Sequence, residues 1–110
     1  MKYKHYAPKA EVTILRGSPE AYRAYLAAHR EEGLFALCFE EEAEGLPVPC
    51  VTYGRQDDPA SQAKRLFTAL RQLDKAGAKK AYAHFWGQGG VYLAVYNRLL
   101  RAAAFRVVDL

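Results

Sequence analysis

The basic and aromatic residues that open the sequence are the first candidates for chemistry. They are Lys2, Tyr3, Lys4, His5 and Tyr6. Ammonium groups beside aromatic rings suit a nucleotide, because charge binds the phosphate and the ring faces stack on the base. Pro8 follows, and a proline biases the residue before it toward extended backbone. From the residues alone two interpretations stay open, a nucleotide clamp or a soluble chain end.

A glycine-rich stretch is the second candidate. Gly87, Gly89 and Gly90 lie between a predicted strand and a predicted helix, where an α/β domain would bind a phosphate. Glycines let backbone amides approach an anion, and the helix N-terminus adds partial positive charge. The dinucleotide pattern needs a later glycine where this chain has Tyr92, and no P-loop lysine follows. The stretch therefore predicts either a weak phosphate loop or a tight strand-to-helix turn.

The remaining polar residues do not form a recognisable catalytic set. His29 on a helix and His84 in a strand are each expected to be core histidines bonded to a backbone group. Asn97-Arg98 is either a recognition pair or, more commonly, a loop cap or a solvent-facing pair. No Ser/His/Asp or Cys/His set and no acid–base pair of carboxylates stands out. We expect no catalytic residue in this chain.

Cysteines and acidic residues do not indicate a metal site. Cys38 and Cys50 lie in apolar segments without a further Cys or His at ligand spacing. Two free thiols in a reducing cytoplasm are expected, and a disulfide between neighbouring strands is the alternative. The acidic run 40–44 is interpreted as a solvated loop. It also argues against a uniformly basic nucleic-acid surface, although the net charge of the 110 residues is +4. Direct binding of tRNA is therefore not expected.

Apolar periodicity and turn signals predict eight elements in the order β-α-β-β-α-β-α-β. Predicted strands cover 11–15, 34–39, 48–53, 80–86 and 105–110, and the helices begin near Pro19, Pro59 and Gly90. The expected inward residues of the helices are Tyr22, Tyr25, Leu26 and His29; Ala63, Leu66, Phe67, Leu70 and Leu73; and Val91, Ala94, Val95, Leu99 and Ala102. This order favours an α/β sandwich of three layers, with a five-stranded, mostly parallel sheet and three helices. Pro49 cannot donate to a ladder, which predicts an edge position for the third strand.

No apolar run approaches the ~20 residues that a membrane span requires, and no charged-then-apolar leader is recognisable. A cytoplasmic protein without membrane contact is therefore expected.

Three segments resemble one known family. Met1-Lys-Tyr-Lys-His-Tyr-Ala-Pro8 resembles the interdomain linker of the two-domain threonylcarbamoyl-adenylate synthases, S-P-G-M-[KR]-Y-[KR]-H-Y-x-P. Residues 66–77 are similar to that family's L-F-x-A-L-R-x-L-D-x-x-G helix, and residues 94–103 to its A-x-x-N-R-L-x-x-A-A helix. The segments occur in the family's order and span nearly the whole chain, and the linker motif is the most specific of them.

The resemblance implies a role without catalysis. The family makes threonylcarbamoyl-adenylate from threonine, bicarbonate and ATP, the first stage of threonylcarbamoyladenosine modification of tRNA. Its chemistry belongs to an N-terminal catalytic domain with K-x-R and S-x-N elements, neither of which occurs here in a matching context. Residues 1–10 would be linker-like, and residues 11–110 a Rossmann-like accessory domain. Residues 2–6 would inherit the closing of the catalytic cleft over the nucleotide.

The implied partner is therefore a catalytic domain, in cis or in trans, that binds ATP, threonine and bicarbonate. No cofactor is expected in this chain itself. Two departures from the family pattern bear on this: Tyr92 fills a glycine position of the usual G-L-G-x-A, and the S-P-G before Met1 is absent. The chain is then either a shortened form of a longer enzyme or the product of a separate gene for the second domain. The alternatives are a stand-alone nucleotide-binding module that uses Gly87 to Gly90, and a tRNA-contacting module.

Overall fold

The computed structural model describes residues 8–87 and 89–110. They form a five-stranded sheet in which every pairing is parallel. The strands are β1 (Glu11–Arg16), β2 (Leu34–Cys38), β3 (Cys50–Thr52), β4 (Lys80–Phe85) and β5 (Val107–Asp109). The helices are α1 (Pro19–Ala28), α2 (Pro59–Lys75) and α3 (Leu93–Ala102), with short 3₁₀ helices at Glu40–Glu42 and Gly90–Tyr92. The predicted fold class and element order are confirmed.

The strand order across the sheet is β3-β2-β4-β1-β5. The third strand lies at an edge, as the proline before it predicts, and its neighbour uses that proline as an acceptor, since the Ala36 amide donates to the Pro49 carbonyl at 2.8 Å. The last strand forms the opposite edge. The central strand, β4, is paired on both sides, with β1 and with β2.

Two apolar clusters cover the two faces of the sheet and define three layers. On one face, α1 packs through Tyr22 and Leu26 against residues of β2 such as Leu34. On the other face, α2 and α3 pack together over residues that include Ile14 and Leu37. Because the interior strands are covered on both faces, most of their residues are apolar, as is usual in parallel sheets.

The first two helices start where the sequence predicts. The Ser18 hydroxyl accepts from the Ala21 amide at 3.1 Å, and the Asp58 carboxylate accepts from the Ser61 amide at 3.2 Å. In each case a proline occupies the first helical turn, where its missing N–H leaves no hydrogen bond unmade.

Four residues of the expected inward stripes are exposed instead: His29, Phe67, Val91 and Ala94. His29 is the C-terminal cap of α1, beyond the last packed turn. Phe67 and Ala94 are one position from Leu66 and Val95, which take the inward sites, so each is rotated about 100° from the core. Val91 belongs to the 3₁₀ helix before α3 and does not share the α-helical period.

None of the helices in the described ranges is long and apolar enough to cross a membrane.

Replacing the cap of α2, Asp58→Ala, should lower the free energy of unfolding by about 1 kcal/mol, because the Ser61 amide loses its acceptor. Urea denaturation of the purified chain measures this. The neighbouring exposed carboxylate provides the control: Asp57→Ala should change stability by less than about 0.5 kcal/mol. Equal losses from both variants would contradict the capping role.

Candidate functional site

The carboxyl ends of β1 and β4 form the crevice where an open α/β sheet usually binds a ligand. The chain leaves β1 through α1 toward β2, and it leaves β4 through α3 toward β5, so the two connections diverge onto opposite faces. The adjacent strand ends, Arg16 and Phe85, are directly paired. Ligand sites in such sheets lie at this point of divergence.

The predicted phosphate loop lies in this crevice. Gly87 and Gly89 line a cavity of about 130 Å³ together with Arg16, Tyr92 and Tyr96. The backbone at Gly89 has a φ of 91°, in the left-handed region that glycine adopts without strain. Gly90 is the first residue of the 3₁₀ helix that leads into α3. The structure therefore brings the three glycines to the divergence point, beside a guanidinium.

Aromatic rings line this crevice and narrow it. A Cβ atom at Gly87 would lie 2.6 Å from the ring of Tyr92, so the glycine is required for that ring to pack over the loop. The Tyr92 hydroxyl donates to the Gln56 carbonyl at 3.4 Å. Pockets for small molecules usually measure ~300–1,000 Å³. A nucleotide would therefore need the Tyr92 ring to move away, and phosphate binding by Gly87, Gly89 and Gly90 stays a prediction.

Arg16 is already engaged at the edge of the crevice. Its guanidinium lies 3.5 Å from the Tyr96 hydroxyl and 5.5 Å from the centroid of that ring, and its Nε is 3.5 Å from the Asp109 carboxylate. Both charged side chains are more than half exposed, so this ion pair contributes little to stability. An incoming anion could compete with Asp109 for the same guanidinium.

A buried cluster of hydrogen-bonded polar side chains surrounds His84, near the carboxyl ends of the strands. The imidazole is fully buried, with Nε2 at 2.8 Å from the Gly17 carbonyl and Nδ1 at 2.7 Å from Oε1 of Glu42. The expectation of a core histidine bonded to a backbone group is confirmed for His84. It is wrong for His29, which is exposed although its Nδ1 lies 2.8 Å from the Tyr25 carbonyl.

Both ring nitrogens of His84 face oxygen atoms, one from the Gly17 carbonyl and one from the Glu42 carboxyl group. The carbonyl oxygen can only accept, so Nε2 donates to it. Nδ1 then shares a second hydrogen bond with Oε1 of Glu42, and the ring is held from both sides.

The interpretation of the acidic run as a solvated loop is wrong for Glu42, which is buried. Its side chain is only 9% exposed, because the 3₁₀ helix Glu40–Glu42 turns it beneath the sheet edge. The Phe39 amide donates to Oε1 at 3.1 Å, while Oε2 is buried without a hydrogen-bond partner among the described residues. Its neighbours Glu40, Glu41 and Glu44 are exposed, as expected.

Two buried tyrosines complete this cluster. The Tyr53 hydroxyl donates to the His84 carbonyl, and the Tyr22 hydroxyl donates to the Tyr82 carbonyl at 2.7 Å. The ring of Tyr22 stacks on the imidazole at a centroid distance of 4.5 Å. Burial raises the pKa of both phenols, and the nearby Glu42 charge raises each pKa further. Both hydroxyls therefore remain hydrogen-bond donors at neutral pH.

This histidine cluster cannot be reached by a substrate. The side chains of His84, Tyr22 and Tyr53 have no exposed surface, and their hydrogen bonds join strand ends rather than line a cleft. The sequence did not predict the cluster, because 42 positions separate its histidine from its carboxylate. The one local signal is a histidine in an otherwise apolar central strand.

The remaining predictions from the sequence concern residues 2–6, a metal site and the two cysteines. Lys2, Tyr3, Lys4, His5 and Tyr6 lie outside the described residues. Within 8–87 and 89–110, no group of three His, Cys, Asp or Glu side chains could hold a metal ion. Cys38 and Cys50 are free thiols, and burial raises the pKa of the Cys38 thiol.

Comparison with known proteins identifies one family. The family described as "Threonylcarbamoyl-AMP synthase, C-terminal domain" matches residues 1–104. The threonylcarbamoyl-AMP synthases of Bacillus subtilis and Pyrococcus abyssi are each 35% identical to this chain over 98% of its length. The chain spans 32% of each of these relatives.

Solved structures agree with this match. P. abyssi Sua5 complexed with L-threonine has a TM-score of 0.73 and 28% identity, covering 100% of this chain and 33% of that one. A variant of the same protein, with alanine replacing an adjacent histidine and tyrosine, also has a TM-score of 0.73, at 26% identity over 94% of this chain and 30% of that one. The C-terminal Sua5 domain from Pyrococcus horikoshii has a TM-score of 0.65 and 26% identity, covering 94% of this chain and 100% of that domain.

Replacing the buried carboxyl group, Glu42→Gln, should lower the free energy of unfolding by about 2 kcal/mol, since the contact with the buried Nδ1 of His84 would be disrupted where water cannot replace it. Chemical denaturation measures the loss. Glu44→Gln, an exposed member of the same acidic run, is the matched control and should stay within about 0.5 kcal/mol of the wild type. An equally stable Glu42 variant would contradict a stabilising contact between Glu42 and His84.

The decrease in the free energy of unfolding at alkaline pH should depend on Tyr53. Because the pKa of its phenol is raised in the folded state, its contribution is complete below the ordinary value of 10.0 and falls as pH rises above it. The unfolded chain then loses a proton that the folded chain retains, which costs about 1.4 kcal/mol per pH unit for each such phenol. Tyr53→Phe should therefore flatten the decline between about pH 10 and 12, in denaturation midpoints measured against pH. Parallel declines for the two proteins would contradict this.

Proposed function

This chain belongs to the family of threonylcarbamoyl-AMP synthase C-terminal domains, and from that premise we propose that it is the accessory domain of an L-threonylcarbamoyladenylate synthase. It spans about a third of its curated relatives, so a catalytic domain would correspond to the remaining part of their length. That domain, joined in cis or bound in trans, would use ATP, threonine and bicarbonate. The product would serve the threonylcarbamoyladenosine modification of tRNA.

Part of the proposal is that this domain contributes no catalytic residue of its own. In the described residues, the polar cluster around His84 is sealed from solvent, and aromatic rings occupy the crevice at the divergence of the strands. Neither arrangement presents an accessible nucleophile or general base to a substrate. The catalytic groups, and any ATP, would therefore belong to the partner domain.

The second part of the proposal concerns residues 2–6, which would close the catalytic cleft over the nucleotide. The family match begins at residue 1, so it includes this segment. A solved relative has an adjacent histidine and tyrosine replaced by alanine, and His5-Tyr6 is the single His-Tyr pair in the present sequence. Chemically, the lysine ammonium groups would neutralise phosphate charge while the tyrosine rings cover the base.

This chain's own surface favours the accessory role over a stand-alone nucleotide-binding module. The crevice beside the glycine loop holds about 130 Å³, and the Tyr92 ring is packed against Gly87. Titration calorimetry with ATP, AMP and GTP separates the two roles. The accessory domain alone should bind all three weakly, whereas tight binding that is lost in Arg16→Ala would favour the module.

We expect the purified chain alone to release no pyrophosphate from ATP in a threonine- and bicarbonate-dependent manner. The reason is that, among the described residues, the polar cluster around His84 is buried and the exposed polar groups do not form a nucleophile–base set. A coupled pyrophosphate assay, with a complete family enzyme as the positive control, measures this. Turnover above the no-enzyme rate would overturn the accessory role.

With a catalytic domain restored, Tyr3→Ala and Tyr6→Ala should each reduce kcat/KM for ATP by about tenfold, since one stacking contact is worth ~1–3 kcal/mol. Phe105→Ala is the control, because it removes an exposed ring from a different part of the chain and should leave kinetics unchanged. Unchanged kinetics in both tyrosine variants would remove the cleft-closing role while leaving the family membership intact.

A further inference from the structure

Positive charge is concentrated on the outward face of the helix pair α2 and α3, which lie side by side on one face of the sheet. This surface is called here the α2–α3 face. The sequences of the two helices contain one acidic residue, Asp74, and its carboxylate accepts from the backbone amides of Lys9 and Ala10. The exposed cations of the face are Lys64, Arg65, Arg71, Lys75, Arg98 and Arg101.

The acidic run 40–44 lies on the other side of the sheet, beside α1. Glu41 shares a surface depression with Glu20 and Arg23 of that helix, and the Arg23 guanidinium donates to the Gly45 carbonyl at 2.7 Å. The argument from the acidic run against nucleic-acid binding assumes that the run and the cations share a surface. In the folded chain they do not, so the run leaves the α2–α3 face basic.

The cations of the α2–α3 face have no acidic partners in the described part of the chain. The ion pairs within residues 8–87 and 89–110 involve other cations, such as Arg16 with Asp109 and Lys80 with Glu31. Like charges on neighbouring helices repel each other, and a bound polyanion removes this repulsion. The face is therefore suited to a negatively charged partner.

The spacing of the cations favours an extended anion over a small one. Lys64, Arg71 and Lys75 are spaced i, i+7 and i+11, which places them along one side of α2 over about 17 Å. Arg98 and Arg101 are spaced i and i+3, so they share one side of α3. A single phosphate could reach only one or two of these groups, whereas a nucleic-acid backbone presents phosphates along its whole length.

Uncharged hydrogen-bond donors accompany the cations. Thr68 and Gln72 are exposed on α2, and Asn97 is exposed on α3. Hydroxyl and amide side chains of this kind, together with Lys and Arg, make most protein contacts to phosphate and sugar oxygens. This composition matches a surface that binds the backbone of a nucleic acid.

An anionic membrane is the other large polyanion that a basic face could bind, and the packing of the helices argues against it. A helix that lies in a membrane surface inserts an apolar side into the lipid. The apolar sides of α2 and α3, through residues such as Leu66, Leu70 and Leu99, are buried in the core. They are therefore not available for insertion.

We propose that the α2–α3 face binds the phosphate backbone of RNA without reading its base sequence. The cations neutralise phosphates, and Thr68, Gln72 and Asn97 donate to phosphate or sugar oxygens. The basic surface itself is independent of the proposed function. The choice of RNA over DNA rests on that function, because the product of the enzyme would serve the modification of tRNA.

Fluorescence anisotropy with a labelled RNA hairpin of about 20 base pairs tests the proposal in the purified chain. If about four cations contact phosphates, the affinity should fall about a hundredfold between 50 and 200 mM salt. Absence of binding at 50 mM salt, or an affinity that does not change with salt, would overturn the proposal.

Paired substitutions locate the site. Lys64→Gln with Lys75→Gln should weaken binding about tenfold at 50 mM salt and reduce the slope of log affinity against log salt by about two. Arg98→Gln with Arg101→Gln should do the same. Glutamine is a good helix former, so the helices are retained.

The matched control removes the same charge from the α1 side of the molecule. Arg23→Gln with Arg30→Gln should leave the affinity within about twofold of the wild type, since both residues lie at or after α1. If this control loses as much affinity as the α2 and α3 pairs, net charge alone accounts for binding, and the proposal is overturned.

Two further probes test the assignment to RNA. A DNA hairpin of the same sequence, or vesicles that contain phosphatidylserine, bound more tightly than the RNA at the same salt concentration would overturn it. Failure of RNA binding would leave the accessory role unaffected. That role is measured separately, by pyrophosphate release from the joined enzyme in the absence of RNA.

Discussion

His84 joins the carboxyl ends of four of the five strands. It lies near the end of β4, and its ring nitrogens reach Gly17 after β1 and Glu42 after β2. Its carbonyl accepts from Tyr53, the residue after β3. A fully buried imidazole enclosed in this way cannot lose a partner without leaving a buried polar atom unsatisfied, which is why so much of the carboxyl edge depends on it.

This arrangement explains where function can and cannot occur. In many parallel sheets the carboxyl edge is open to ligands. Here part of that edge is occupied by the buried contact between His84 and Glu42, and the crevice between β1 and β4 is narrowed by Tyr92 and Tyr96. The described residues therefore leave little open space at this edge of the sheet. The accessible features of this edge are peripheral, namely the glycine loop and Arg16.

The fold could be predicted from the sequence because its determinants are local. Ser18-Pro19 and Asp58-Pro59 start helices through contacts within four residues, and Pro49 identifies an edge strand. The histidine cluster could not be predicted in this way, since Glu42 and His84 meet only after the strands are ordered β2-β4 in the sheet. The outward direction of Phe67 was missed for a related reason. Leu66 and Phe67 are adjacent apolar residues, and which of them faces inward depends on how α2 sits on the sheet.

The central claim is that residues 2–6 act on a catalytic domain while residues 11–110 support them. Hydrogen exchange at the backbone amides of residues 2–6 tests it most directly, in the chain alone and joined to a family catalytic domain. The account predicts that ATP and threonine slow this exchange only when the catalytic domain is present. Equal exchange with and without the ligands in the joined protein, or slowing by ATP in the chain alone, would contradict it.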